Sequence, residues 1–285
     1  MRQTLETSIY SASFTDTRFF AFSRRHQRLG RIDTPVPLFA NSSILKAATY
    51  YDTLFSVGFS ESSLSALDNK FPENESPAID INDYGYDSDS DLSDYDETAP
   101  SENEDDVPSQ QESNESPVQG DVGEPREQPG AISAGKLGRT VIVKDAALRT
   151  YTALIFYLYT GEITFRSLTS SQREPSANAE SSRSCSPKSM YRLADKLGVE
   201  ELKRLAFEAL KANLGETNIV QEAFSKFTAT PGFEEIRSME LGILRQACRS
   251  TKVQSDLPQM MRRAVRGELP HAEEMVDSLI RRIIA

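Results

Sequence analysis

Apolar positions along this chain fall into alternating and helical spacings, and the densest run sets the frame. Residues 140–143, Thr-Val-Ile-Val, are β-branched and too few for a stable helix, which predicts a buried strand. Lys144 and Asp145 interrupt it. Leu148, Tyr151, Leu154, Ile155 and Leu158 then recur at spacings of three and four, placing one apolar face on a helix over 146–159. Ala153, Phe156 and Tyr157 widen that face until the helix has to be enclosed by its own domain. Gly161 supplies the stop, and 163–165 returns as a short extended piece.

Upstream, Leu5, Ile9, Tyr10 and Phe14 give only a weak pattern over 1–15. Residues 18–23 read as a strand, 24–31 as a basic connection around Gly30, and 31–39 as a second strand whose Pro35 and Pro37 place it at a sheet edge. Asn41 or Ser42 can cap a helix bearing Ile44, Leu45 and Ala48, and Tyr51, Leu54 and Phe55 continue its face in a second short helix. Downstream the spacing is helical throughout. Ser186 caps a helix with Pro187 at its first position and Gly198 at its end; Val199, Leu202, Leu205, Ala206 and Ala209 face inward on the next. Asn218 with Gln221 suggests a capping box before Val220, Ala223, Phe224 and Phe227. Thr230-Pro231 opens another helix, and 257–284 holds two amphipathic helices broken near 267–270.

Composition changes this picture in one region. Residues 68–130 carry 20 acidic side chains against Lys70 and Arg126, a net of −18, while the whole chain is −11, so the remainder is basic at +7. Their sparse apolar residues (Ile79, Ile81, Tyr84, Tyr86, Leu92 and Tyr95) show no sustained period. Such a segment buries too little to offset the entropy of ordering, which predicts a disordered acidic insertion over 68–135. Ser88, Ser90, Ser93 and Ser101 precede acids within it, so phosphorylation would add further negative charge.

Candidate chemistry is sparse. Cys185 and Cys248 are too few for a disulfide framework and lack metal-ligand spacing with His26 or His271, which fits a reducing, intracellular compartment, cytoplasmic or nuclear. No apolar run approaches a membrane span, so no membrane partner is expected. Residues 130–136 have phosphate-loop glycine and lysine spacing, but Leu137 follows where magnesium binding needs Ser or Thr, and a strand follows where a helix should open. The Asp87–Asp96 run lacks the glycine and glutamate placement of an EF-hand. Arg24, Arg25, Arg28 and Arg31 have no interleaved aromatics, so nucleic acid is not expected. No nucleophile and base pair up, and the expectation is a non-enzyme without cofactor or metal.

Two stretches resemble one family. Residues 157–163, Tyr-Leu-Tyr-Thr-Gly-Glu-Ile, are similar to the YxYTGxI signature of BTB (POZ) domains, in which a strand leads into a buried helix ending in that turn. Residues 40–55 resemble the helix pair that follows the family's opening hairpin, with Asn41 standing where many members have His. The likeness covers 16–62 and 137–247, is closest to fungal members, and departs in its long insertion. It implies an α+β fold of BTB type, a small sheet flanked by helices with a C-terminal helical extension. The expected segments are an N-terminal piece (1–15), first half (16–67), acidic insertion (68–135), second half (136–215) and helical extension (216–285).

The resemblance also implies a function. Adaptors of cullin-based E3 ubiquitin ligases in this family carry a hydrophobic-x-Glu element after the second short helix, matched here by Phe59 and Glu61, and a helical box resembled by 218–247. The expected protein-binding residues are Phe55, Phe59, Glu61, Phe224 and Phe227, with a cullin scaffold and a second copy of the chain as partners. The alternative is a dimerising scaffold, or a transcription- or chromatin-associated regulator, that binds no cullin.

Overall fold

Every side chain from Thr17 to Phe22 is buried, so both faces of this strand are covered and it has to sit inside the sheet. The computed structural model describes residues 14–46, 48–56, 62–67, 70–94, 137–171 and 183–284, with the backbone alone for 62–66 and 282–284. In it β1 (Thr17–His26) pairs antiparallel with β2 (Arg31–Ala40) and parallel with β6 (Leu137–Ala147). The sheet is completed by β3 (Ser62–Ala66) on β6, β4 (Ile79–Asp80) on β2 and β5 (Ser93–Asp94) on the end of β1. Its order is β3-β6-β1-β2-β4, a small mixed sheet. Pro35 and Pro37 pair with Phe22 and Phe20 of β1, and on the opposite edge β4 covers β2 only at Arg31 and Ile32, so no described strand on that side needs an N–H from them.

The helices are α1 (Ser42–Leu45), α2 (Thr49–Ser56), α3 (Ile81–Tyr84), α4 (Leu148–Thr160), α5 (Pro187–Leu197) and α6 (Glu200–Ala212). They continue with α7 (Ile219–Ala223), α8 (Glu234–Gln246), α9 (Thr251–Val265) and α10 (Glu273–Ile284), while β7 (Thr164–Phe165) and β8 (Ser184–Cys185) form a two-stranded ribbon. The protein is α+β. Phe19, Ala21, Val141 and Val143 join Tyr51, Tyr151, Leu154, Met190 and Leu193 in the principal core. On the sheet's other face the Phe20 ring meets Phe71 at 5.0 Å, and the Arg18 guanidinium stacks on Phe20 and donates to Thr140 Oγ1.

Several boundaries differ from the sequence expectation. The strand expected at 140–143 runs from Leu137 to Ala147, and its Lys144-Asp145 interruption is a register shift: Ala21 faces Val143 but Phe22 faces Ala147. No capping box forms at Asn218, whose amide instead closes the preceding turn, accepting from Gly215 N–H at 2.9 Å and donating to Asn213 O at 3.0 Å. The helix expected from Thr230 begins at Glu234, after a succession of turns.

The largest correction concerns the acidic insertion. The described part of the segment expected to be disordered, 70–94, folds onto the domain, with Tyr84 and Asp89 fully buried and Leu92 at 5% exposure. Local signals account for α3: Asp80 accepts from Asn82 N–H at its start, and Gly85 ends it in the left-handed conformation at φ 70°. The rest of the insertion, with Ser101 and the 130–136 glycine-lysine stretch, lies outside the described residues.

Candidate functional site

The two family-like stretches meet in space. Asn41 donates its backbone N–H to Tyr159 Oη at 2.7 Å and its side-chain amide to Phe14 O at 2.6 Å, while the Phe14 ring packs edge-on against Tyr159. Asp16 closes the group, accepting the Ser42 backbone N–H at 2.7 Å and the Ser42 hydroxyl at 2.6 Å. The start of α1 is thus capped twice, by Asn41 Oδ1 on Ser43 N–H and by Asp16 on Ser42 N–H. Burial raises the Tyr159 hydroxyl above its ordinary pKa, so it remains a neutral acceptor here. Four residues on from Tyr157, Gly161 ends α4 at φ 77° with its N–H on Tyr157 O.

Of the five residues expected to bind protein, three are core residues. Phe55 is 5% exposed, stacks on Tyr51 with centroids 5.8 Å apart, and carries the Arg139 guanidinium over its face. Phe224 packs with Leu241, Ala272 and Met275, joining α7 to α8 and α10. Phe227 is 2% exposed between Tyr191 and Phe233. The expected docking surface at these three is therefore corrected: their aromatic faces are spent inside the chain. The same apolar character that suggested an anchor is what drew them inward. Phe59 and Glu61 lie outside the described residues.

A groove of about 480 Å³ does open beside β6, between α2, residues 72–75 and α5. Leu54, Ile142, Tyr151 and Leu193 supply apolar lining, and two ion pairs stand along it, Lys144 with Glu75 at 3.6 Å and Lys196 with Asp145 at 2.5 Å. β3 covers the outer edge of β6 only from Leu137 to Val141. Beyond Val141 that edge has no partner strand among the described residues.

Sequence reasoning missed a buried carboxylate cluster. Asp89 accepts the Tyr84 hydroxyl at 2.5 Å, the Ser189 hydroxyl at 2.7 Å and the Asp91 backbone N–H at 2.9 Å. Asp91 accepts the Thr150 hydroxyl at 2.7 Å and the Ser186 N–H at 2.8 Å, with Arg166 at 3.4 Å. Burial, reinforced by Asp89, pushes Asp91 up to about 6 against the pull of these donors. Arg25 holds the same segment from β1, donating to the Asp87 and Asp89 carbonyls and pairing with Asp94 at 2.7 Å, which keeps Asp94 below its ordinary value. At 0% and 5% exposure the two carboxylates offer no face to a substrate. Their work is to fasten 84–94 to α4 and to the start of α5. The readable signal was the pair Asp80 and Gly85 bracketing Tyr84, a capped turn inside the acidic run.

A second polar junction fastens the C-terminal helices. Glu222 of α7 takes Lys188 of α5 and the Ser170 hydroxyl, and Thr228 links its backbone carbonyl to the fully buried Glu240 of α8. His271 Nε2 lies 3.1 Å from Phe224 O beside it. Among the described residues no three His, Cys, Asp or Glu side chains are grouped to hold a metal ion, and no helix is long and apolar enough to cross a membrane. No protein-family model matches the chain, and no curated protein matches it.

Proposed function

We propose that this chain is a non-enzymatic protein-interaction module of the BTB type. The observation that carries the reading is the junction at Tyr159. The stretches that resemble the family, 40–55 and 157–163, are joined by the Asn41 N–H to Tyr159 hydrogen bond, so they act as one structural unit. The order of elements supports it as well: a hairpin, a pair of short helices, then a strand parallel to the first leading into a helix that stops at Gly161. The proposal extends to docking on a cullin scaffold through Phe59 and Glu61, an aromatic anchor with a carboxylate that fixes register.

Burial of Phe55, Phe224 and Phe227 favours the second reading, a dimerising scaffold without cullin, because it removes three of the five anchors. A titration of the intact protein with a cullin N-terminal domain separates the two. The adaptor reading expects saturable binding that Phe59→Ala and Glu61→Lys each weaken about tenfold or more, roughly 1.4 kcal/mol, with folding unchanged by circular dichroism. No binding by the wild-type protein removes the ligase role, and sedimentation of the same sample then decides between dimer and monomer.

A further inference from the structure

Thr228 Oγ1 lies 2.9 Å from the Glu222 carbonyl and 2.8 Å from Glu240 Oε2. One hydroxyl carries one proton, and a carbonyl carries none. If Thr228 donated to a Glu240 carboxylate, its oxygen would face the Glu222 carbonyl at 2.9 Å with no hydrogen between them. The arrangement closes only when Thr228 donates to the carbonyl and receives a proton from Glu240. The Ser225 hydroxyl, 3.2 Å away, can then occupy the second lone pair of Thr228. We infer that Glu240 is held as a neutral carboxylic acid donating to Thr228, and that this proton latches the C-terminal helices to the rest of the protein.

The surroundings agree. Glu240 is 0% exposed and its Oε1 has no hydrogen-bond partner among the described residues, which a neutral carbonyl-like oxygen tolerates far better than an ionised one. The charges acting on it are Lys188 of α5, Glu222 of α7 and Arg237 of its own helix. Lys188 pairs with Glu222, and Arg237 lies within ion-pair distance of Glu274 of α10, so both pull against burial at Glu240 from a distance and neither is hydrogen-bonded to it. His271, which borders the same small cavity as Thr228 and Arg237, bonds to Phe224 O. α6, which also packs on α8, supplies none of these charges. Burial pushes Glu240 up to about 7. The latch spans the junction where α5 and Ser170 meet α7 and α8, so losing the proton loosens that attachment in particular.

Two measurements on the full-length protein test this. Carbon-13 carboxyl shifts of selectively labelled glutamates, with Glu240 assigned by its absence in Glu240→Gln, should give a titration midpoint above about 6. Hydrogen exchange should show α7 and α8 amides of the wild type losing protection about tenfold or more between about pH 6 and pH 8 after correction for intrinsic rates. Glu240→Gln, whose amide also donates to Thr228 while carrying no charge, should hold its protection across that range. A Glu240 midpoint below about 6, or a Glu240→Gln variant that loosens with pH as the wild type does, overturns the latch.

Discussion

Tyr51 and Tyr151 show at single-residue scale what the sequence can and cannot tell. Their spacing places both on inward helix faces, and both are buried, at 0% and 4% exposure. Spacing does not say that the two hydroxyls find each other across 100 residues of chain, 2.5 Å apart. Burial raises both above the ordinary tyrosine value, and among the described residues each hydroxyl has the other as its hydrogen-bond partner, so the pair stays neutral. Removing one hydroxyl strands the other in an apolar core, while removing both strands nothing. Tyr151→Phe should therefore cost about 1–3 kcal/mol, and Tyr51→Phe combined with Tyr151→Phe should cost less than the sum of the single changes. Urea denaturation of the three variants checks this; additive losses would mean that the hydroxyls do not depend on each other.

At the scale of elements, legibility followed the length of the apolar pattern. α4, α5 and α6 could be read because each repeats its face over three turns and because Gly161, Gly198 and the first-turn Glu200 and Glu201 mark their ends. α3 and β5 could not. Residues 79–94 lie inside a strongly acidic composition, and their order comes from tertiary partners: Arg25 on β1, Thr150 on α4 and the Ser186 N–H at the start of α5. Averaged charge conceals this, because Asp89 and Asp91 act as acceptors for specific buried donors while Asp87 and Asp94 pair at the surface with Lys226 and Arg25. Asp91→Ala leaves the Thr150 hydroxyl and the Ser186 N–H unmet, and should cost about 2–5 kcal/mol. Asp91→Asn, which keeps one carbonyl acceptor, should cost less. Tyr84→Ala, emptying a fully buried site, should cost about 3–5 kcal/mol. If these variants matched the wild type in chemical denaturation, 79–94 would be an appendage and not part of the core.

For the molecule as a whole, the two buried junctions make stability depend on pH in a definite direction. Asp91 and Glu240 are both raised in the folded state, from 3.8 to about 6 and from 4.5 to about 7. An acid whose folded pKa is raised binds its proton more tightly folded than unfolded. Its contribution is therefore complete below the unfolded value and is lost as pH rises through the folded one. Each shift corresponds to something on the order of 3 kcal/mol, lost between about pH 4 and pH 7. Asp94, lowered by Arg25, acts in the opposite sense, but only as pH falls below about 4, outside that window. The net charge of −11 adds to the loss, since self-repulsion grows as carboxyls ionise. The urea midpoint should accordingly be higher near pH 5 than near pH 8. The junctions fasten different parts of the chain, Asp91 the 84–94 segment and Glu240 the C-terminal helices, so their contributions should separate. Asp91→Asn and Glu240→Gln should each flatten part of the profile, and the double variant should flatten most of it. A wild-type profile that rises from pH 5 to pH 8 would mean that the unfolded chain binds more protons than the folded one over that range, and would remove the common basis of the two junctions.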